Sequence, residues 1–176
     1  MIFLLINGLV LLVIIFLLII LSWVWPPDSP WAPWWQVDNK KARAMCKLAK
    51  ITKKDIVYDL GSGNGASLIV AAKEFGARGI GIEVDPFRIL LSRINIRRNG
   101  VLSQVVIKRQ DFFKEDISGA TVVFMYLIPK TLKRLLPKLK KELGKDVRIV
   151  CVNYRTDLNL VKHDKKNNLY LYSLRN

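Results

Sequence analysis

Apolar positions follow two different rules along this chain. From Ile2 to Leu21 nearly every residue is apolar, Asn7 and Gly8 excepted, and the run continues through Trp23, Val24 and Trp25. About 20 apolar residues rising about 1.5 Å each as a helix match the roughly 30 Å hydrocarbon core of a bilayer, so residues 1–25 are expected to form a transmembrane anchor. Pro26, Pro27, Pro30 and Pro33 then alternate with Trp31, Trp34 and Trp35. Tryptophan prefers the headgroup level and proline stops a helix, so 26–36 reads as an interfacial linker. A cleaved signal peptide fits less well, because no Lys or Arg precedes the apolar run and no small-x-small site follows it.

Beyond the linker, apolar residues come in short runs separated by amphipathic stretches, which reads as one domain over 37–176. Val37, Ala44, Met45, Leu48 and Ala49 recur at helical spacing between Lys and Arg, giving a helix between Val37 and Ile51. Ile56 to Leu60 reads as a strand, Ala66 to Phe75 as a helix capped by Gly76, and Gly79 to Glu83 as a second strand. Pro86 opens another helix, Asn99-Gly100 ends it, and Val105 to Ile107 makes a third strand. Strands follow at Ala120 to Tyr126 and Val147 to Val152, around a helix from Pro129 to Leu143 that Pro137 should kink or split. Leu158 to Lys162 and Leu169 to Leu174 flank the turn Lys165-Lys166-Asn167-Asn168 and read as a hairpin. Strands alternating with helices imply an α/β fold with a mostly parallel sheet covered on both faces, here closed by an antiparallel hairpin.

Charge and rare residues narrow the chemistry. The net charge is +15, and all 29 Lys and Arg follow the apolar segment, the first at Lys40. The positive-inside rule places the domain on the cytoplasmic side of a single-pass anchor. Lys40, Lys41, Arg43, Lys47, Lys50, Lys53 and Lys54 form a dense basic cluster. It can be a solvated helix face or an RNA contact, but after an anchor the favoured partner is anionic lipid headgroups. Cys46 and Cys151 lack metal-ligand spacing and read as reduced core thiols, and His163 is the single histidine. No metal site and no Ser-His-Asp triad are expected from such a set.

The candidate chemistry sits after the first strand. In an open α/β sheet, ligands bind outside the carboxyl ends of the strands. Gly61-Ser62-Gly63-Asn64-Gly65 lets the backbone approach a ligand closely. Several nucleotide folds use such a turn, and the discriminating residue is Asp59. Beside a pyrophosphate its carboxylate would be repulsive, whereas S-adenosylmethionine has no phosphate and carries positive charge on its sulfonium and amino group. Glu83, ending the second strand about 20 residues on, is placed to accept from both ribose hydroxyls. Asp111, after the third strand, can accept from an adenine amine with Phe112 as an apolar wall. Tyr126 ends the fourth strand where an acceptor should enter, and is the candidate lining or orienting residue for catalysis; Asn153 and Tyr154 lie on the same rim.

In this order of motifs the chain resembles the class I, seven-strand S-adenosylmethionine-dependent methyltransferases, with a Rossmann-like sheet. The motifs are Asp59 to Gly65, Gly81-Ile82-Glu83, Gln110-Asp111-Phe112 and Thr121 to Pro129. More narrowly, the apolar N-terminus, the Asp-Leu-Gly-Ser-Gly turn, Leu127-Ile128-Pro129 and Leu136-Pro137-Lys138-Leu139 resemble membrane-anchored protein-lysine methyltransferases. That group includes enzymes of the adenine nucleotide translocase and of the ATP synthase c subunit, and has small bacterial relatives. The resemblance implies S-adenosylmethionine as cofactor and a protein substrate, with lysine of a membrane protein as the acceptor. A membrane-tethered RNA methyltransferase and a catalytically degenerate cofactor-binding domain are the alternatives. Asn64 stands where the group has Asp in the turn, and the fourth strand does not end in the Asp/Asn-Pro-Pro-Tyr pattern of many nucleic-acid and glutamine methylases.

Overall fold

The computed structural model describes residues 2–24 and 35–175, with side chains of the first helix described at Phe3 and from Ile6 to Ile20. It divides into two compact units, Met1–Trp31 and Ala32–Asn176.

The first unit contains α1 (Ile2–Val24). Its described side chains are exposed and, Asn7 and Gly8 aside, apolar, Leu9, Leu12 and Phe16 among them. Among the described residues no helix is long and apolar enough to cross a membrane. The membrane span expected over 1–25 is therefore not borne out, although the described backbone, Ile2–Val24, is helical. Most of the expected linker, residues 26–34, lies outside the described residues.

The second unit runs α2 (Asn39–Leu48), β1 (Ile56–Leu60), α3 (Ala66–Phe75), β2 (Arg78–Glu83), α4 (Pro86–Arg98), β3 (Val105–Arg109), β4 (Val122–Met125), α5 (Pro129–Glu142), β5 (Arg148–Val152), β6 (Asn159–Asp164) and β7 (Leu169–Ser173). The seven strands form one sheet in the order β3-β2-β1-β4-β5-β7-β6. β1 to β5 pair in parallel and β7 pairs antiparallel with both β5 and β6, so the expected architecture holds. From β1 the chain moves outward to β2 and β3, then crosses back to β4. Strand order thus reverses between β1 and β4, which fixes the ligand crevice at their carboxyl ends.

Local chemistry sets the helix limits. Asp38 caps α2 by accepting from Lys41 N–H at 2.6 Å, and Asp85 caps α4 by accepting from Phe87 and Arg88 N–H, with Pro86 at the first helical position. Gly76 closes α3 at φ 73°. Pro137 does not split α5, which is one helix from Pro129 to Glu142.

Alternate strand residues face opposite sides of the sheet. Val57, Val122, Phe124, Val150 and Val152 share one core with α2, α3 and α4, whereas Leu132, Leu135 and Leu139 of α5 are buried outside that cluster. Cys46 and Cys151 are free and buried, and burial pushes both thiols up to about 12. At the amino ends of the strands, the far side from the crevice, Asp55 accepts from Thr121 Oγ1 at 2.8 Å and pairs with Arg148, which also donates to Ala49 and Lys50 carbonyls. This polar clamp joins the starts of β1, β4 and β5.

Candidate functional site

The turn from β1 into α3 is possible only because its glycines sit where they do. Gly61, Gly63 and Gly65 have φ of 86°, 54° and 78°, the left-handed region that residues with a Cβ adopt at a cost. Gly61 and Ser62 N–H both donate to the Ile82 carbonyl, at 2.9 and 3.1 Å, and Gly65 N–H donates to the Ser62 carbonyl at 2.9 Å. The turn is thereby held against the end of β2.

Glu83 locks it there. Its Oε2 accepts from Gly63 N–H at 3.0 Å, and its Oε1 accepts from Val84 and Asp85 N–H at 2.9 and 3.1 Å. The residue is buried. A carboxylate offers about four acceptor sites, so three backbone amides leave room for one further donor. The expectation that Glu83 accepts from two ribose hydroxyls is accordingly reduced to one while the turn keeps this shape.

Asp59 lies buried at the end of β1, where its Oδ2 accepts from Ser67 Oγ. Burial pushes its carboxyl up to about 7, the Ser67 hydrogen bond opposes that rise, and the charge on Glu83 adds to it. A cation arriving beside Asp59 would restore the ionised form. Ser67 is a partner that the sequence motifs did not single out. Its position in the first turn of α3, eight residues after Asp59, was the available signal.

Ser62 Oγ is buried without a hydrogen-bond partner. A buried hydroxyl left alone costs about 1–3 kcal/mol, which a group able to supply a partner would relieve. Behind it stands Gly81, where an added Cβ would lie 2.6 Å from Ser62 Oγ, 2.8 Å from Ser62 Cβ and 2.5 Å from Ile107 Cδ1. Gly81 is thus required for space rather than for backbone conformation. Gly81→Ala is expected to push the turn off β2 and destabilise the fold by about 1–3 kcal/mol, read from urea unfolding, with loss of cofactor binding by calorimetry.

The remaining predicted residues converge on the same end of the sheet. Asn64 Oδ1 accepts from Ala66 N–H at 3.2 Å, while Asn95 Nδ2 donates to the Asn64 carbonyl at 3.2 Å. The Asn64 carboxamide oxygen therefore supports the turn, which leaves its amide nitrogen as the group able to reach a ligand. Gln110 N–H donates to the Glu83 carbonyl at 3.1 Å and draws the β3 turn against β2. There Asp111 Oδ1 accepts from Phe113 N–H at 2.9 Å, and Phe112 is buried with its ring centroid 4.9 Å from that of Phe113.

Tyr126 follows β4, beside the crevice. Its hydroxyl oxygen accepts from Asn153 Nδ2 at 2.6 Å, and Asn168 Nδ2 lies 3.4 Å from Asn153 Oδ1. Tyr170 hydroxyl donates to Asn168 Oδ1 at 3.0 Å, which extends the chain onto β7. Asn153 takes φ 65°, a strained value for a residue with a side chain, and its carboxamide is aimed at Tyr126. Burial, with the nearby Tyr154, raises the Tyr126 phenol above its ordinary value.

The chain matches the family described as the ANTKMT methyltransferase domain over residues 59–162, a stretch that begins at Asp59 and contains Glu83, Asp111, Tyr126 and Asn153. It is 42% identical over 125 residues to a protein-lysine N-methyltransferase of Saccharolobus islandicus (strain REY15A), across 70% of this chain and 76% of that one. This chain belongs to the ANTKMT methyltransferase family. It is also 28% identical to the Homo sapiens lysine N-methyltransferase of the ATP synthase c subunit, across 69% of this chain and 52% of that protein, so it spans about half the length of that relative. Among solved structures, an RNA methyltransferase from Salinibacter ruber in complex with S-adenosyl-L-homocysteine superposes with a TM-score of 0.72 at 33% identity, covering 80% of this chain and 94% of that one.

As a member of the ANTKMT methyltransferase family, the chain is an S-adenosylmethionine-dependent methyltransferase. Its site fits that cofactor on its own chemistry. Two buried carboxylates, an unpartnered Ser62 hydroxyl and a turn of left-handed glycines suit a cationic, hydroxyl-bearing ligand without phosphate.

Proposed function

We propose that this methyltransferase acts on the side-chain amine of lysine in a protein. S-adenosylmethionine supplies the methyl group on a positively charged sulfur. Asp59 balances the cofactor's positive charge, and Gly61, Ser62, Gly63, Asn64 and Gly65 line its amino-acid end. Glu83 accepts from a ribose hydroxyl, and Asp111 and Phe112 hold the adenine. The observation that carries the acceptor side is the Tyr126 hydroxyl, half-buried and fixed at 2.6 Å by Asn153 beside the crevice. A fixed hydroxyl orients an amine for in-line attack, and orientation is the main help this displacement needs. The acceptor must also lose its proton, whose pKa in water is about 10.4, and a half-buried rim lowers that value by disfavouring the ammonium.

Tyr126→Phe is expected to lower kcat about tenfold, a loss of about 1.4 kcal/mol of orientation, with cofactor affinity unchanged. Asn153→Ala should act in the same direction. Unchanged kcat in both variants would remove Tyr126 from the acceptor side.

The substrate class is tested by supplying label-bearing S-adenosylmethionine with a cell extract and digesting the products. Label removed by protease and resistant to nuclease supports a protein substrate. Label removed by nuclease supports RNA, a reading favoured by the net charge of +15. A folded protein that binds no cofactor would match the degenerate reading that Asn64 raises.

Membrane attachment belongs to the same proposal and rests on the apolar sequence Ile2 to Leu21 and the exposed apolar side chains of α1. The basic unit would then lie on the cytoplasmic side. The expected partnership of Lys40–Lys54 with lipid headgroups draws no support from their arrangement, since Arg43 pairs with Glu74, Lys41 approaches Tyr126 and Lys40 and Lys47 line a cleft. Recovery of the full chain in the membrane fraction, and its release on removing residues 2–24, is the expected result. Equal recovery of both forms in the supernatant would refute attachment.

A further inference from the structure

A second concave feature lies outside the cofactor turn, and it is strongly basic. A cleft of about 690 Å³ opens between α2 and the β6–β7 hairpin. Lys40, Arg43 and Lys47 line the α2 wall, and Lys162, Lys165 and Lys166 line the hairpin wall. Arg43 is taken by Glu74 at 2.7 Å, and Asp164 accepts from Asn167. The five lysines form no salt bridge among the described residues. Like charges gathered in a concavity reinforce one another's potential, and that cost is offset when an anion enters.

Both walls lead to the acceptor end. Lys41, next to Lys40, has its Nζ 6.0 Å from the centroid of the Tyr126 ring. On the hairpin side, Asn168 meets Asn153, and Asn153 holds the Tyr126 hydroxyl. An extended segment whose lysine reached Tyr126 would therefore lay its neighbouring residues along the cleft.

We infer that this cleft binds an acidic polypeptide segment flanking the acceptor lysine, an inference that rests on the protein-lysine reading above. The ten residues of α2 give a wall about 15 Å long, enough for four or five extended residues at about 3.3 Å each. Lysine ammoniums are mobile point charges suited to flexible Asp and Glu side chains. Single-stranded RNA would need aromatic platforms for its bases. The one aromatic of the lining, His163, is already stacked on Tyr170 at 4.3 Å. A planar lipid surface is a poor match for charges that line a concavity.

The test uses the full chain and two lysine peptides that differ only in carrying four Asp or four Ser beside the acceptor. The acidic peptide is expected to have a KM about tenfold lower at low salt, with the difference shrinking as salt screens it. In Lys162→Gln/Lys165→Gln/Lys166→Gln the two peptides should become equivalent through KM, with calorimetric S-adenosylmethionine affinity unchanged and a melting temperature no lower than that of the unaltered protein. Equal KM values in the unaltered protein, or a preference that survives in the triple variant, would overturn the inference while leaving lysine methylation standing. Fluorescence anisotropy of the acidic peptide gives a readout free of turnover. If neither peptide were methylated but the acidic one bound only the unaltered protein, the lysine reading would fall and the cleft assignment would stand. Displacement of the peptide by single-stranded RNA or phosphatidylserine vesicles at lower concentration than unlabelled acidic peptide would assign the cleft to that competitor instead.

Discussion

Glu83→Ala is expected to weaken S-adenosylmethionine binding by more than about a hundredfold. Its carboxylate accepts from Gly63, Val84 and Asp85 N–H, so one side chain fixes both the glycine turn and the end of β2. A ligand hydroxyl bonded to this carboxylate contributes about 1.5–3 kcal/mol, and the turn's lost preorganisation adds to that, against the roughly 2.7 kcal/mol that a hundredfold in affinity represents. The buried Gly63 amide and the more exposed Val84 and Asp85 amides would also lose their acceptor, so the free protein should melt at lower temperature. Glu83→Gln keeps one carbonyl oxygen and should fall between, about tenfold weaker. Calorimetric titration with the cofactor, alongside thermal melts, separates lost contacts from lost folding. Near-normal affinity in Glu83→Ala would show that the turn does not depend on this acid.

Asp59 should make cofactor binding depend on pH near neutrality. Its carboxyl is pushed up to about 7, first by burial and further by Glu83, against the Ser67 hydrogen bond. A cation beside Asp59 favours the ionised form, so binding below about pH 7 must expel a proton. Affinity is expected to rise with pH up to about 7, by as much as about tenfold per unit, and to level off above it. Calorimetry isolates this effect, because turnover also rises as the acceptor amine deprotonates. For the free protein the sign is opposite. Between about pH 3.9 and about 7 the folded chain holds a proton that the unfolded chain has lost, so stability falls as pH rises through that window. Asp59→Asn removes the buried charge. It should bind the cofactor about thirtyfold more weakly, lose the pH dependence, and melt at higher temperature than the unaltered free protein at pH 8. A pH-independent affinity in the unaltered chain would show that Asp59 is not the group that meets the cofactor's charge.

The fold was legible because its signals are local. Asp59 before three glycines, Gly76 after α3 and Pro86 opening α4 each fix a boundary through backbone chemistry that neighbours in sequence determine. The acids at successive strand ends were legible for the same reason, since strand ends converge in a parallel sheet. Long-range partners were not. Nothing local says that Glu83 is already held by three amides, that Ser67 meets Asp59, or that Gly81 is small because Ser62 packs over it. The Tyr126–Asn153–Asn168–Tyr170 chain joins residues whose proximity depends on β7 inserting between β5 and β6. The lysines of α2 and of the β6–β7 hairpin read as separate charge runs until the fold sets them on two walls of one cleft. α1 shows the opposite limit. Its sequence reads as a full span, yet the described residues hold no helix long and apolar enough to cross a membrane.

The most direct test of a lysine methyltransferase built on this turn is label transfer followed by amino-acid analysis. The full chain and its Glu83→Ala variant would each be incubated with methyl-labelled S-adenosylmethionine and protein extract, and the products hydrolysed. Label recovered as ε-N-methylated lysine from the unaltered chain, and absent with the variant, is the expected result. Label recovered on nucleosides or another amino acid, or on lysine at equal level with Glu83→Ala, would contradict it.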